Sequence, residues 1–127
     1  MPKTQKQEIG AWGEEEATRF LSQAGYDIVE RNYQIRGGEI DIIAWHSKYH
    51  FGKTLCFIEV KTRSYGLGSA ERATGREKIV RLSRAAQYYC LERGIPIEAT
   101  PIQFEQVSVY IDEQKNGHCR LFVIPME

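Results

Sequence analysis

Two short strings carry residues whose types and spacing suit a chemical role: Gly38-Glu39-Ile40-Asp41 and Phe57-Ile58-Glu59-Val60-Lys61. Each sets charged groups inside an apolar run that otherwise reads as a buried β-strand. An unpaired carboxylate or ammonium is costly to remove from water, so such groups are normally paired, metal-bound or catalytic. Side chains alternate along a strand, so Glu39 and Asp41 are expected on one face, and Glu59 and Lys61 on one face. If the two strands pair, Asp41 and Glu59 converge. Magnesium takes hard oxygen ligands, one or two carboxylates with waters and a substrate phosphate. Asp41, Glu59 and the backbone carbonyl of Val60 could supply the protein part of such a set, for Mg²⁺ or Mn²⁺. Lys61 could orient or deprotonate an attacking water, or offset charge on a phosphate. The competing reading is an ion-pair network on a half-solvated strand, because a bare Glu-x-Lys is common.

The elements that must position these residues follow from periodicity. Residues 5–24 read as a helix, with Ile9, Trp12, Gly13, Ala17, Phe20, Leu21 and Ala24 on one face and Gly25 as its stop. Strands are expected at 26–35, 39–45 and 54–63, with a tight turn at Arg36-Gly37-Gly38 and a polar loop over 46–53. A loop with Gly66 and Gly68 leads to a helix over about 76–92, whose inner face is Ile79, Leu82, Ala86, Tyr89 and Cys90. Late strands are read at 102–111 and 119–124, turned at Lys115-Asn116-Gly117. The order is αβββαββ, which implies an α/β fold with a mixed central sheet flanked by helices.

Composition narrows the function classes. With 127 residues the chain reads as one domain, residues 1–127, able to bury a core without a staple. The formal net charge is zero, which argues against coating nucleic acid by bulk attraction. The charge is uneven, however. Val60 to Arg93 holds eight Lys or Arg against three Glu, and the residues from Gly94 onward hold two Lys or Arg against five acids. Cys56, Cys90 and Cys119 form no CxxC pair and fit a reducing compartment. The N-terminal residues lack the apolar core of a signal peptide, and no apolar run approaches membrane-spanning length. A soluble, cytoplasmic protein is expected.

The combination of motifs resembles the PD-(D/E)xK nuclease superfamily, which includes restriction enzymes and archaeal Holliday-junction resolvases. More closely, it resembles the YraN-like family of small bacterial proteins. The residues that carry the resemblance are Gly13-Glu14 with Ala17 and Leu21, Gly25-Tyr26, Arg31-Asn32, Gly37-Gly38-Glu39-Ile40-Asp41, Phe57-Ile58-Glu59-Val60-Lys61-Thr62-Arg63, and Lys78 with Leu82 and Ala86. The resemblance implies a restriction-endonuclease-like αβββαβ core, with Asp41, Glu59 and Lys61 on the catalytic motif positions. It also implies Glu14 as an additional acid and metal ligand from the first helix. On a helical wheel Glu14 lies at the edge of the apolar face, from which it could reach over the sheet. Without the resemblance, Glu14, Glu15 and Glu16 read as solvent-facing. The late strand departs from the family pattern: relatives commonly show Arg-Phe-Asp where this chain has Gln103-Phe104-Glu105.

Arg63, Arg72, Arg76, Lys78, Arg81 and Arg84 could form a phosphate-tracking surface, giving affinity without sequence information. Tyr65 could stack on an unpaired base. Of these, Arg63, Lys78, Arg76, Arg81 and Tyr65 are the nucleic-acid-binding candidates, against the plainer reading of a solvated helix face. His46 and His50 lack the partners of a zinc site. Asn32 suits a loop hydrogen bond or a substrate contact. The reading is a small metal-dependent nuclease hydrolysing phosphodiester bonds of DNA or RNA, with structured or branched substrates suited to a homodimer. The alternative is a non-catalytic nucleic-acid-binding module that keeps the nuclease fold. A third is an interaction domain whose acids form an ion-pair network.

Overall fold

The computed structural model describes residues 4–64 and 75–126. Helix α1 spans Gln5–Gln23 and opens on a capping box: Thr4 Oγ1 accepts from the Gln7 backbone while the Gln7 side chain accepts from the Thr4 backbone. Gly25, at φ +92°, turns the chain out of α1 into strand β1, Asp27–Ile35. Strand β2 is Gly38–Lys48, β3 is Gly52–Ser64, and helix α2 is Arg76–Arg93, closed by Gly94 in the left-handed region. A short 3₁₀ turn at Ile97–Ala99 precedes β4, Ile102–Ile111, and β5, Gly117–Val123.

The five strands form one sheet in chain order. Neighbours are antiparallel except β3 and β4, which run parallel. A parallel pair needs a crossover, and α2 lies within it. The mixed sheet with its two helices is the α/β architecture expected from the sequence. Two apolar clusters are built on the sheet. Ala17 and Leu21 of α1 pack with Ile42, Ala44, Cys56, Ile58, Val107 and Val109. Leu82, Ala85, Ala86, Tyr89 and Cys90 of α2 pack with Tyr33, Ile40, Ile43, Leu55 and Phe57. Strand β3 feeds both clusters in alternation, which is why its sequence reads as an unbroken apolar run.

Differences from the sequence reading fall at strand ends and in one turn. Strand β2 extends through His46 and Lys48, which were expected in a loop. His46 lies flat on the Tyr26 ring, 3.9 Å between centroids, and its Nε2 is 3.1 Å from the Ala24 carbonyl, so tertiary contacts extend the strand beyond its apolar part. Tyr65, Arg72 and the Gly66–Gly68 loop lie outside the described residues.

Two glycines of α1 behave oppositely. A Cβ on Gly13 would run into the Thr62 side chain of β3, whereas a Cβ on Gly10 would meet nothing within 4 Å. Gly13 is therefore the point where α1 seats against β3. Gly10→Ala is expected to raise stability by about 0.5–1 kcal/mol through helix propensity alone. Gly13→Ala is expected to lower it by about 1–3 kcal/mol through overpacking. Urea unfolding of the two variants beside wild type measures both signs.

Candidate functional site

The strand pair β2–β3 ends in a defined way. Its last matched residues are Ile42 and Ile58, and the next residue outward on each strand is Asp41 or Glu59. Beyond that point β3 continues beside β4, with Glu59 opposite Gln106 and Lys61 opposite Ser108. The Val60 N–H donates to Asp41 Oδ2 at 2.8 Å. A side-chain acceptor thus takes a strand N–H just past the last pair of the β2–β3 ladder.

Asp41 also marks a break in the pleat. Ile40 belongs to the α2-side cluster, yet Ile42, two residues on, belongs to the α1-side cluster. Regular alternation would put both on one face. The partner strand is irregular at the same level, where Asn32 adopts φ +53°, left-handed for a non-glycine residue. The expectation that Glu39 and Asp41 share a face by simple alternation is therefore corrected. Glu39 is exposed, while Asp41 is half-buried beside β3.

Burial pushes the Asp41 carboxyl up to about 6, opposed by the Val60 hydrogen bond and reinforced by the negative charges of Glu59, Glu14 and Glu39. Glu59, only 5% exposed, follows Leu55 and Phe57 along β3 and lies 3.3 Å, by Oε1, from Lys78 Nζ in the first turn of α2. Glu14 lies next to the Gly13 contact on α1. Its Oε1 accepts from Arg31 Nε at 3.2 Å, Arg31 Nη2 at 3.1 Å and Asn32 Nδ2 at 2.9 Å. Arg31 also reaches Glu15 at 2.9 Å, while Glu16 pairs with Arg19. Asn32 thus orients Glu14, a role sequence reasoning did not assign. Lys61 is half-buried two residues beyond Glu59, and Arg63 is half-buried with its Nε lacking a hydrogen-bond partner among the described residues.

The candidates thus come from four elements. Glu14 of α1, Asp41 of β2 and Glu59 of β3 are linked electrostatically through Asp41, and Lys78 of α2 is drawn to Glu59. Arg76 and Arg81 stand on the exposed side of α2. Among the described residues, no group of three or more His, Cys, Asp or Glu side chains is placed to hold a metal ion, so Glu14 does not join Asp41 and Glu59 as the third ligand expected from the resemblance. Asp41 and Glu59 together are a hard-oxygen pair whose mutual repulsion a divalent cation would relieve. This suits magnesium, which needs only one or two carboxylates and keeps its waters, and not a structural zinc.

Glu105, where the chain departs from its relatives' pattern, is occupied elsewhere. It is fully buried on the α1 face with Val107, opposite the face of Glu59. Lys48 Nζ donates to Glu105 Oε2 at 2.7 Å, Tyr26 Oη donates to Oε1 at 2.8 Å, and Gln103 Nε2 donates to Oε2 at 2.5 Å. Lys48 also donates to Tyr26 Oη at 2.7 Å. Gln103 gives Glu105 a neutral donor. Burial and Glu105 raise the Tyr26 hydroxyl and hold it un-ionised, and burial, with a smaller push from Glu105, raises the Cys56 thiol to about 12. Sequence reasoning missed this network because Lys48 was placed in a loop. The signal lay in the alternation Ile42, Ala44, His46, Lys48.

The αβββαβ order, the mixed sheet and the acids at the β2–β3 end define a restriction-endonuclease-like α/β core. Within that class the sequence profile of uncharacterised protein family UPF0102 matches residues 13–120, and the chain belongs to this family. It is 37% identical to a UPF0102 protein of Syntrophomonas wolfei over 110 residues, 86% of this chain and 90% of that one. It is 40% identical over 117 residues to one of Corynebacterium efficiens, covering 91% and 88% of the two chains. It is 42% identical over 111 residues to one of a Parafrankia strain, covering 85% and 86%. The family resemblance seen in the motifs is thereby established across the chain. No helix among the described residues is long and apolar enough to cross a membrane.

Two outcomes follow from these geometries. The Asp41 carboxyl is raised from 3.8 to about 6 in the folded state, so its protonated form stabilises the fold below about pH 4, and that contribution is lost as pH rises through 6. In EDTA, Asp41→Asn is expected to unfold like wild type near pH 4 and to be more stable at pH 7.5, by up to about 3 kcal/mol. Melting curves across that range check it, and equal stability at pH 7.5 would contradict it. Glu105→Ala strands Lys48 and is expected to cost about 3–5 kcal/mol in urea unfolding, with Lys48→Met/Glu105→Leu recovering much of the loss.

Proposed function

We propose that this protein is a divalent-metal-dependent nuclease that hydrolyses phosphodiester bonds of DNA or RNA. The observation that carries the reading is Asp41: a carboxylate at the end of the β2–β3 ladder, pushed up to about 6 by burial first and then by the negative charges crowding it from Glu59, Glu14 and Glu39. Such crowding is unfavourable to the fold and is characteristic of acids assembled to hold a cation or move a proton. Asp41 and Glu59 are the residues that would hold Mg²⁺ or Mn²⁺, with the Val60 carbonyl as a further oxygen donor, while Glu14, engaged by Arg31 and Asn32, adds negative charge to the site. When bound, the metal polarises the phosphoryl oxygen and makes its water more acidic.

The chain's own groups do the rest. The Val60 N–H fixes the Asp41 carboxylate on β3. Arg31 and Asn32 hold Glu14 toward the same acids. Lys61, on the strand that carries Glu59, positions the attacking water and offsets charge on the phosphate. Arg63, Arg76 and Arg81 supply phosphate contacts, which bind nucleic acid without reading its sequence. A branched or structured duplex suits two copies of such a site in a homodimer.

A cleavage screen tests this reading, using duplex, single-stranded and branched DNA and RNA with Mg²⁺ or Mn²⁺. Wild type is expected to cut at least one substrate, and Asp41→Asn and Lys61→Ala to lose at least about 100-fold in rate. Equal rates in all three would trace the cleavage to another source. Salt-sensitive binding without cleavage, unchanged by Asp41→Asn, would favour a non-catalytic nucleic-acid-binding module.

A further inference from the structure

Lys78 occupies an unusual place for a cation. It is the third residue of α2, in the turn where the helix dipole favours anions, and Glu77 beside it is the acid suited to that turn. What holds Lys78 there is Glu59, whose Oε1 is 3.3 Å from its Nζ. Lys78 has a second neighbourhood. With Arg81, one helical turn on, it lines a pocket of about 320 Å³ whose opposite wall is Gly37, Gly38 and Glu39. The wall is close to α2 by design of the sequence: a Cβ on Gly38 would stand 2.8 Å from the Arg81 carbonyl oxygen. Lys78 is only 34% exposed and touches both the acidic site and this pocket.

We propose that Lys78 is a resident counter-cation of Glu59 that competes with the divalent metal and is drawn off by an anion bound between Lys78 and Arg81. The inference rests on the metal reading of Asp41 and Glu59 and adds to it a coupling between metal and phosphate. A metal that takes Glu59 must displace Lys78, since one carboxylate cannot satisfy both cations at full strength. The displaced ammonium then faces a divalent charge and the positive end of α2, and a phosphate beside Arg81 is its nearest relief. An anion in the pocket has the reverse effect, drawing Lys78 away from Glu59 and so favouring the metal. By linkage, each ligand tightens the other by the same factor. The site would thus take metal weakly until a nucleic-acid phosphate arrives.

Mn²⁺ binding, measured by electron paramagnetic resonance or calorimetry without nucleic acid, tests this apart from activity. Lys78→Gln is expected to bind Mn²⁺ at least about fivefold more tightly than wild type, and Lys78→Arg to bind it as wild type does. In wild type, sulfate as the anion probe is expected to tighten Mn²⁺ several-fold relative to chloride at equal ionic strength, and this effect is expected to vanish in Lys78→Gln. The sulfate arm needs no variant and so stands even if Lys78→Gln folds poorly. Equal Mn²⁺ affinity in wild type and Lys78→Gln, or a sulfate effect that persists without Lys78, would overturn the coupling while leaving the metal site intact. Failure of Mn²⁺ to bind any of the proteins would overturn the coupling and the metal reading together.

Discussion

The hydrogen bond from the Val60 N–H to the Asp41 carboxylate organises the candidate site. Just beyond the Ile42–Ile58 pair, a β3 N–H takes a side-chain oxygen from β2. Here the side chain of Asp41 makes that bond, and so one interaction closes the end of the β2–β3 ladder and fixes a carboxylate. The local change in β2 that goes with it, with Ile40 and Ile42 on opposite faces, and the left-handed Asn32 on β1, place irregular backbone beside the acids. Irregular backbone of this kind persists only where the surroundings over-determine it. The surroundings here are two packed helices and five paired strands.

Around that point, each element contributes a charge of known sign. Helix α1 brings Glu14, seated by the close approach at Gly13. Strand β1 brings Arg31 and Asn32 to hold it. Strand β3 brings Glu59 and Lys61, and α2 brings Lys78. The cations temper the acids, yet Asp41 remains raised, by burial first and by its negative neighbours second, even with the Val60 hydrogen bond in place. A fold optimised only for stability would not gather these carboxylates. Under the proposed function, their proximity trades stability for the ability to hold a cation.

The two faces of the sheet divide the buried charge between them. On the α2 face, Glu59 is buried and paired with Lys78, which also lines the adjoining pocket. On the α1 face, Glu105 is sealed among Tyr26, Lys48 and Gln103 and has no route to the acids around Asp41. The two acids sit on neighbouring strands, and their opposite environments follow from strand alternation. Gln103 and Glu105 therefore belong to the internal brace of the fold and not to the acidic cluster. The same brace draws His46 and Lys48 into β2, lengthening the strand past its apolar residues.

Much of this was legible in the sequence. Apolar spacing located both helices and all five strands, because burial imposes periods of 3.6 and 2 that no other constraint imitates. The motif strings located Asp41, Glu59 and Lys61, because charges inside apolar runs are expensive and conspicuous. Strand pairing was not legible, and with it went the register that sets Asp41 and Glu59 side by side. Nor were the pleat change at Asp41, the grip of Arg31 and Asn32 on Glu14, the Lys78–Glu59 pair or the Lys48–Glu105 brace. Each of these joins residues distant along the chain, and a side chain's partner there depends on how helices and strands are laid together. Local pattern determined which residues are apolar, charged or turning. Only the tertiary structure decided which charges meet, because that is a property of packed faces and not of neighbours in sequence.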